Sequence, residues 1–151
     1  ERIVRMKKSK ILLKIILGIY IMGLVGVLLL KGGRIGILHR GSFIERLSRV
    51  NFIPFKTIIS YFTSGLSFAE SNAFSNLLGN IIIFIPLGFM IPLIFNKFRS
   101  LKSAILIGFL SSFLIEILQF VFKIGSCDID DIILNTFGSI VGFILFRFIK
   151  K

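Results

Sequence analysis

The sequence predicts an all-α integral membrane protein with four transmembrane helices, and three observations carry that reading. First, four apolar runs of about twenty residues each are long enough to cross ~30 Å of hydrocarbon as helices. Second, 55% of the 151 residues are hydrophobic, 18 of them Phe, and the mean hydropathy is +0.94. That composition fits neither a soluble globular domain nor a disordered chain. Third, the basic residues sit at the ends of the apolar runs and not along one polar face. The formal charge of +12 therefore reads as membrane topology, not as a nucleic-acid footprint. The single cysteine, Cys127, excludes an intramolecular disulfide, and the sequence has no Cys/His cluster of zinc spacing.

The chain opens with a basic segment carrying Arg2, Arg5, Lys7, Lys8, Lys10 and Lys14. Met6-Lys-Lys-Ser-Lys reads as a natural start, and the residues before it are given no function. Residues 11–30 form the first predicted span, apolar except for Lys14, which can snorkel to the interface. Lys31-Gly-Gly-Arg34 lacks a small-x-small cleavage pattern, so the run reads as a retained helix and not a signal peptide.

Residues 31–75 make a long outer connection with structure of its own. Phe43, Ile44, Leu47 and Val50 alternate at helical spacing with Glu45, Arg46, Ser48 and Arg49, which predicts a short amphipathic helix in the membrane interface. Pro54 pushes the preceding residue out of the helical region and breaks it. Ile58, Ile59, Tyr61 and Phe62 then form a second apolar patch. Arg34, Arg40, Arg46, Arg49 and Lys56 suit either lipid phosphates or a solvated rim. His39 stands alone and reads as an interfacial polar residue.

The second span, 76–95, holds Asn76 and Asn80 on one face and Pro86 in its interior, where a proline should kink the helix. A basic turn with Lys97, Arg99 and Lys102 leads to the third span, 104–122, which carries Glu116 and Gln119 in its later half. The fourth span, 132–149, follows Asp128, Asp130 and Asp131. Asp128, Asp131 and Asn135 are spaced three and four and so share a face, continued by the small-residue stripe Gly138 and Gly142.

Four spans put both termini on one side. That side carries twelve Lys or Arg in short segments, against seven on longer segments opposite, so both ends are expected in the cytoplasm. Asn76, Asn80, Glu116, Gln119, Asp128, Asp131 and Asn135 then converge on one outer-leaflet layer from three helices. Ionisable side chains in a membrane are costly and mark functional sites by default.

Asn51-Phe-Ile-Pro-Phe55, Asn80-Ile-Ile-Ile-Phe-Ile-Pro-Leu-Gly88, Glu116-Ile-Leu-Gln-Phe120 and Ile124-Gly-Ser-Cys-Asp-Ile-Asp-Asp131 through Asn135-Thr-Phe-Gly138 resemble the successive blocks of the VanZ-like family. The likeness covers nearly the whole chain after the first helix and adds Asn51 to the candidate ligand-binding residues. It implies a small bacterial membrane protein associated with resistance to the glycopeptide antibiotic teicoplanin, and it brings no reaction with it. It also ranks Asp130 below Asp128 and Asp131, since some relatives have an uncharged residue there.

Two functions of different kinds fit the polar cluster. In one, the carboxylates and amides bind or shield a membrane lipid headgroup, a lipid-linked cell-wall precursor or the glycopeptide itself. In the other, an intramembrane enzyme uses Glu116, Asp128 or Asp131 as acid/base groups or as oxygen ligands of a hard cation. Ser126 and Cys127 have no local activating partner to serve as nucleophiles. A third reading makes the cluster an interhelical adhesive only. No cofactor is indicated.

Overall fold

The computed structural model describes residues 2–33, 42–48, 50–63, 72–122, 124 and 127–150. The chain is all-α: α1 (Arg2–Gly33), α2 (Phe43–Leu47), α3 (Lys56–Thr63), α4 (Asn72–Ile94), a 3₁₀ turn (Asn96–Phe98), α5 (Leu101–Val121) and α6 (Ile129–Ile149). His39 and Ser126 lie outside the described residues.

Stretches within α1, α4, α5 and α6 are long and apolar enough to cross a membrane: Lys10–Val27, Asn76–Ile94, Leu101–Val121 and Ile129–Ile149. Their exposed faces are those of a membrane protein. Ile15, Ile19 and Met22 on α1 and Leu106, Leu110, Phe113 and Leu114 on α5 all point away from the bundle. In water such surface would be a large aggregation liability, and in lipid it is solvated.

Without a hydrophobic drive between helices, packing in a bilayer depends on close backbone approach, and the glycines supply it. Helix α6 packs chiefly on α4 and next on α5. A Cβ at Gly138 or Gly142 would run into the carbonyl oxygen of Ile81 or Ile85, and one at Gly88 into that of Ser139. Gly108 admits α5 to the same place against the Ser139 side chain. Ser139 Oγ donates to the Ala104 carbonyl at 2.9 Å. Apolar contacts fill the rest: Leu24, Phe84, Leu87 and Ile115 near the middle, Leu17, Met90 and Ile94 between α1 and α4, and Ala104, Phe143 and Phe146 between α5 and α6.

Pro86 and Pro92 both lie inside α4, which runs through them. Each removes the N–H that would serve the carbonyl four residues earlier, of Ile82 and of Gly88, and side chains from other elements bond other carbonyls of the helix. The Tyr20 hydroxyl of α1 donates to the Ile83 carbonyl just before Pro86. Arg99 Nε donates to the Pro92 carbonyl at 3.0 Å.

The connection between α1 and α4, expected to lie outside, contains a short helix at the amphipathic pattern and another at the second apolar patch, with Pro54 between them. A capping box starts α2: Ser42 N–H donates to Glu45 Oε2 at 2.8 Å and Glu45 N–H to Ser42 Oγ at 3.3 Å. Phe43 meets Phe120 edge to face at 5.9 Å, which leans α2 on the end of α5.

Candidate functional site

Helix α6 begins three residues earlier than its apolar run, because Asp128 caps it. Its side chain accepts from Asp130 N–H at 2.9 Å and thereby serves one of the orphan donors of the first turn. The same carboxylate accepts from Asn51 Nδ2 at 2.9 Å and from Thr57 Oγ1 at 2.6 Å. Backbone pairing reinforces this: Asn51 N–H donates to Cys127 O at 2.9 Å and Ile129 N–H to Asn51 O at 3.0 Å, a parallel bridge between Asn51 and Asp128. The outer connection is thus tied to the start of α6 across more than seventy residues of sequence.

Asp130 completes the tie. It is fully buried, and its carboxylate accepts the N–H groups of Phe55, Thr57 and Ile58, the latter two at 2.7 and 3.2 Å. Thr57 and Ile58 lie in the first turn of α3, whose N–H groups a helix cannot satisfy from within, and Phe55 immediately precedes it. A carboxylate from another helix caps α3 where its dipole favours negative charge. Phe55 lies in the left-handed region, at φ 65°, two residues into a turn closed by Lys56 N–H on Ile53 O at 3.3 Å. Asp130 therefore holds a structural position at least as demanding as those of Asp128 and Asp131, although the family resemblance ranks it below them. Its position off the face of Asp128, Asp131 and Asn135 carried no signal of this, since it shares Thr57 as a partner with Asp128.

The remaining polar residues form a layer just inside this tie. Glu116, buried on α5, accepts from Asp128 N–H at 3.0 Å. Asn80, buried on α4, donates to Asp131 Oδ1 at 2.5 Å. Asn135, buried on α6, donates from Nδ2 to Ser112 Oγ at 2.8 Å. Asn76 Nδ2 reaches the Tyr61 hydroxyl of α3 at 3.3 Å, and Gln119 lies half-buried one turn beyond Glu116. The three residues expected on one face of α6 thus turn to three partners: Asp128 to the outer connection, Asp131 to α4 and Asn135 to α5. Thr57, Tyr61 and Ser112 join the site without any spacing signal, because each is recruited across the fold and not along its own helix.

One atom in this layer stands apart. Asn135 Oδ1 is buried and has no hydrogen-bond partner. The amide is thus half-paired, its nitrogen on Ser112 and its oxygen on nothing.

Among the described residues no group of three His, Cys, Asp or Glu side chains is placed to hold a metal ion. Cys127 lies between Glu116 and Asp128, and burial first, then those two charges, push its thiol above the ordinary range. It stays protonated at neutral pH and is a poor nucleophile there. The layer's chemical offer is hydrogen bonding by carboxylates and amides, suited to hydroxyls, amides or ammonium groups.

The VanZ/LLP1 family model matches residues 15–150, which is nearly all of the described fold. The chain belongs to the VanZ/LLP1 family. It is 36% identical over 84 residues to Protein VanZ of Enterococcus faecium, a match covering 56% of this chain and 52% of that protein. The chain thus spans about half the length of the curated relative it matches. No solved structure matches the chain. Within the family frame, the quoted blocks acquire a geometric meaning: the Asn51–Phe55 and Cys127–Asp131 blocks are the two halves of the tie, and Asn80, Glu116 and Asn135 are the layer beneath it.

Proposed function

We propose that this VanZ/LLP1 protein is a single membrane domain of the bacterial cell membrane, with both termini in the cytoplasm. In this reading its outer-leaflet polar layer binds the head of a lipid or of a lipid-linked cell-wall precursor. Holding that ligand shields it and so alters the response to glycopeptide antibiotics such as teicoplanin. The family resemblance supports the link to antibiotics, and the segregation of acidic residues to one end of the bundle supports a polar site there.

The observation that carries ligand binding over mere adhesion between helices is the half-paired Asn135 amide. Native proteins pair nearly all buried polar atoms, and an unpaired one costs about 1–3 kcal/mol. A layer built only to join helices has no reason to bear that cost. A layer that receives a ligand hydroxyl or amide does. Thr57, Ile58 and the exposed Phe52, Ile53, Phe55, Ile59 and Phe62 lie beside the layer, so a lipid's chain would meet apolar side chains while its head meets polar ones.

The test is teicoplanin susceptibility of cells expressing the parent, Asp131→Asn, Glu116→Gln or Asn135→Leu at matched membrane levels. The expected outcome is loss of protection in each variant without loss of folded protein. Full protection by all three would overturn the reading.

A further inference from the structure

At the end of the bundle away from the carboxylates, Arg99, Phe146, Arg147 and Lys150 line an open cavity of about 300 Å³. Two separate parts of the chain build it, the turn before α5 and the last turn of α6. Arg99 is held in place, its Nε donating to the Pro92 carbonyl at 3.0 Å and its guanidinium lying 5.9 Å from the Phe146 ring centre. Lys150 Nζ lies 5.5 Å from the same ring. Phe146 is buried and packs with Ala104 and Phe143, so the floor is rigid and apolar while the rim is cationic.

Among the described residues no acidic side chain neutralises that rim. Every acidic side chain among the described residues, Glu45, Glu116, Asp128, Asp130 and Asp131, lies toward the other end of the bundle. Desolvation, then the like charges of Arg99 and Lys10, lower the Lys150 ammonium. Cations at a helix C-terminus offset its dipole, which accounts for Arg147 and Lys150. Arg99 likewise serves the end of α4 through the Pro92 carbonyl, and that bond fixes its guanidinium at the rim of the cavity that the end of α6 also lines.

We propose that this cavity is a binding site for the phosphate-bearing headgroup of an anionic phospholipid, distinct from the polar layer at the opposite end. Arg99 supplies a fixed planar donor fork suited to phosphate oxygens, and Lys150 and Arg147 supply mobile charges that close on it. The cavity holds about ten waters' worth of volume at ~30 Å³ each, enough for a phosphodiester and a glycerol. The exposed Ile149 and Phe148 flank the site, where acyl chains would run along α6. Basic pockets between helices at a membrane surface select anionic lipid heads in this way.

The experiment is native mass spectrometry of the full chain released from vesicles of phosphatidylcholine alone or mixed equally with phosphatidylglycerol, using the parent and two double variants. R147Q/K150Q removes charge from the cavity, and K97Q/K102Q removes the same charge from the neighbouring turn. All four side chains are exposed, and helical content is checked in each variant. The expected result is phosphatidylglycerol retained by the parent and by K97Q/K102Q, with at least a tenfold loss in R147Q/K150Q. Equal loss in both variants, or equal retention of phosphatidylcholine, would show diffuse attraction to the membrane and overturn the site. Displacement of the lipid by millimolar inorganic phosphate would assign the cavity to a free anion instead and overturn the lipid claim.

Discussion

Asp130 is the residue on which the outer connection most depends. Its three backbone hydrogen bonds are charge-assisted, and such bonds contribute about 1.5–3 kcal/mol apiece when their loss leaves a donor unpaired. Asp130→Ala should therefore cost about 3–5 kcal/mol in chemical denaturation and release α3, whereas Asp130→Asn, which keeps one acceptor oxygen, should cost less. Equal stability of Asp130→Ala and the parent would mean that the capping does not hold α3. Phe55 gives a complementary case. A non-glycine residue in the left-handed region is strained by about 1–2 kcal/mol, and the side chain is exposed, so Phe55→Gly should leave stability unchanged or raise it by about 0.5 kcal/mol after glycine's extra backbone entropy. If Phe55 anchors the connection in lipid, the same variant should lose antibiotic protection. Cys127 offers a titration. Its thiol is raised, so the thiolate fraction at neutral pH is below that of a free cysteine and keeps rising at pH values where a free one has levelled off. Labelling by an impermeant maleimide should be slow at pH 7 and climb through the alkaline range, and Glu116→Gln, which removes one of the two charges, should shift that profile to lower pH. An unshifted profile would place Glu116 away from the thiol.

At the scale of elements, α4 and α6 are one unit joined at three glycines. Gly138→Leu or Gly142→Leu puts a side chain where the Ile81 or Ile85 carbonyl stands, and since a backbone carbonyl cannot swing aside the helices must part. Sharply reduced yield of folded protein in detergent is expected, with Gly79→Ala, which meets open space, as the tolerated control. The four spans were legible in the sequence to within a few residues, because length and hydropathy in a bilayer leave little choice. Of the two short helices, α2 was legible from the spacing of Phe43 to Val50 and its end from Pro54, whereas α3 was legible only as an apolar patch at Ile58 to Phe62. The tie between them and α6 was not. Asn51 meets Asp128 through a bridge whose halves lie far apart in sequence, and no periodicity within either segment reports a partner outside it. For the same reason the shared spacing of Asp128, Asp131 and Asn135 placed them correctly near one level of the bundle but said nothing of their turning to three different neighbours. The docked connection itself predicts that spin labels along residues 43–62 report interfacial depth with a period near 3.6 inside α2 and α3 and a step between them. Uniform fast motion in water would contradict docking.

For the whole molecule, charge is sorted along the bundle axis. Among the described residues the acidic groups gather at one end, and at the other lie Lys10, Arg99, Arg147 and Lys150. One end thus mixes acidic with basic groups while the other is basic among the described residues, and the bias of basic residues toward the cytoplasm predicts that the basic end faces inward. A cysteine introduced at Ser60 should accordingly react with an impermeant reagent added outside intact cells, and one at Lys102 only after lysis. The polar layer is the central claim, and the most direct measurement is identification by mass spectrometry of the lipids that remain bound to the purified parent protein, Asp131→Asn and Asn135→Leu, with helical content checked in each. The account predicts a lipid-linked sugar or a specific headgroup retained by the parent and reduced at least tenfold in both folded variants. The same bound lipids in all three proteins would contradict it and leave the layer as an adhesive between helices.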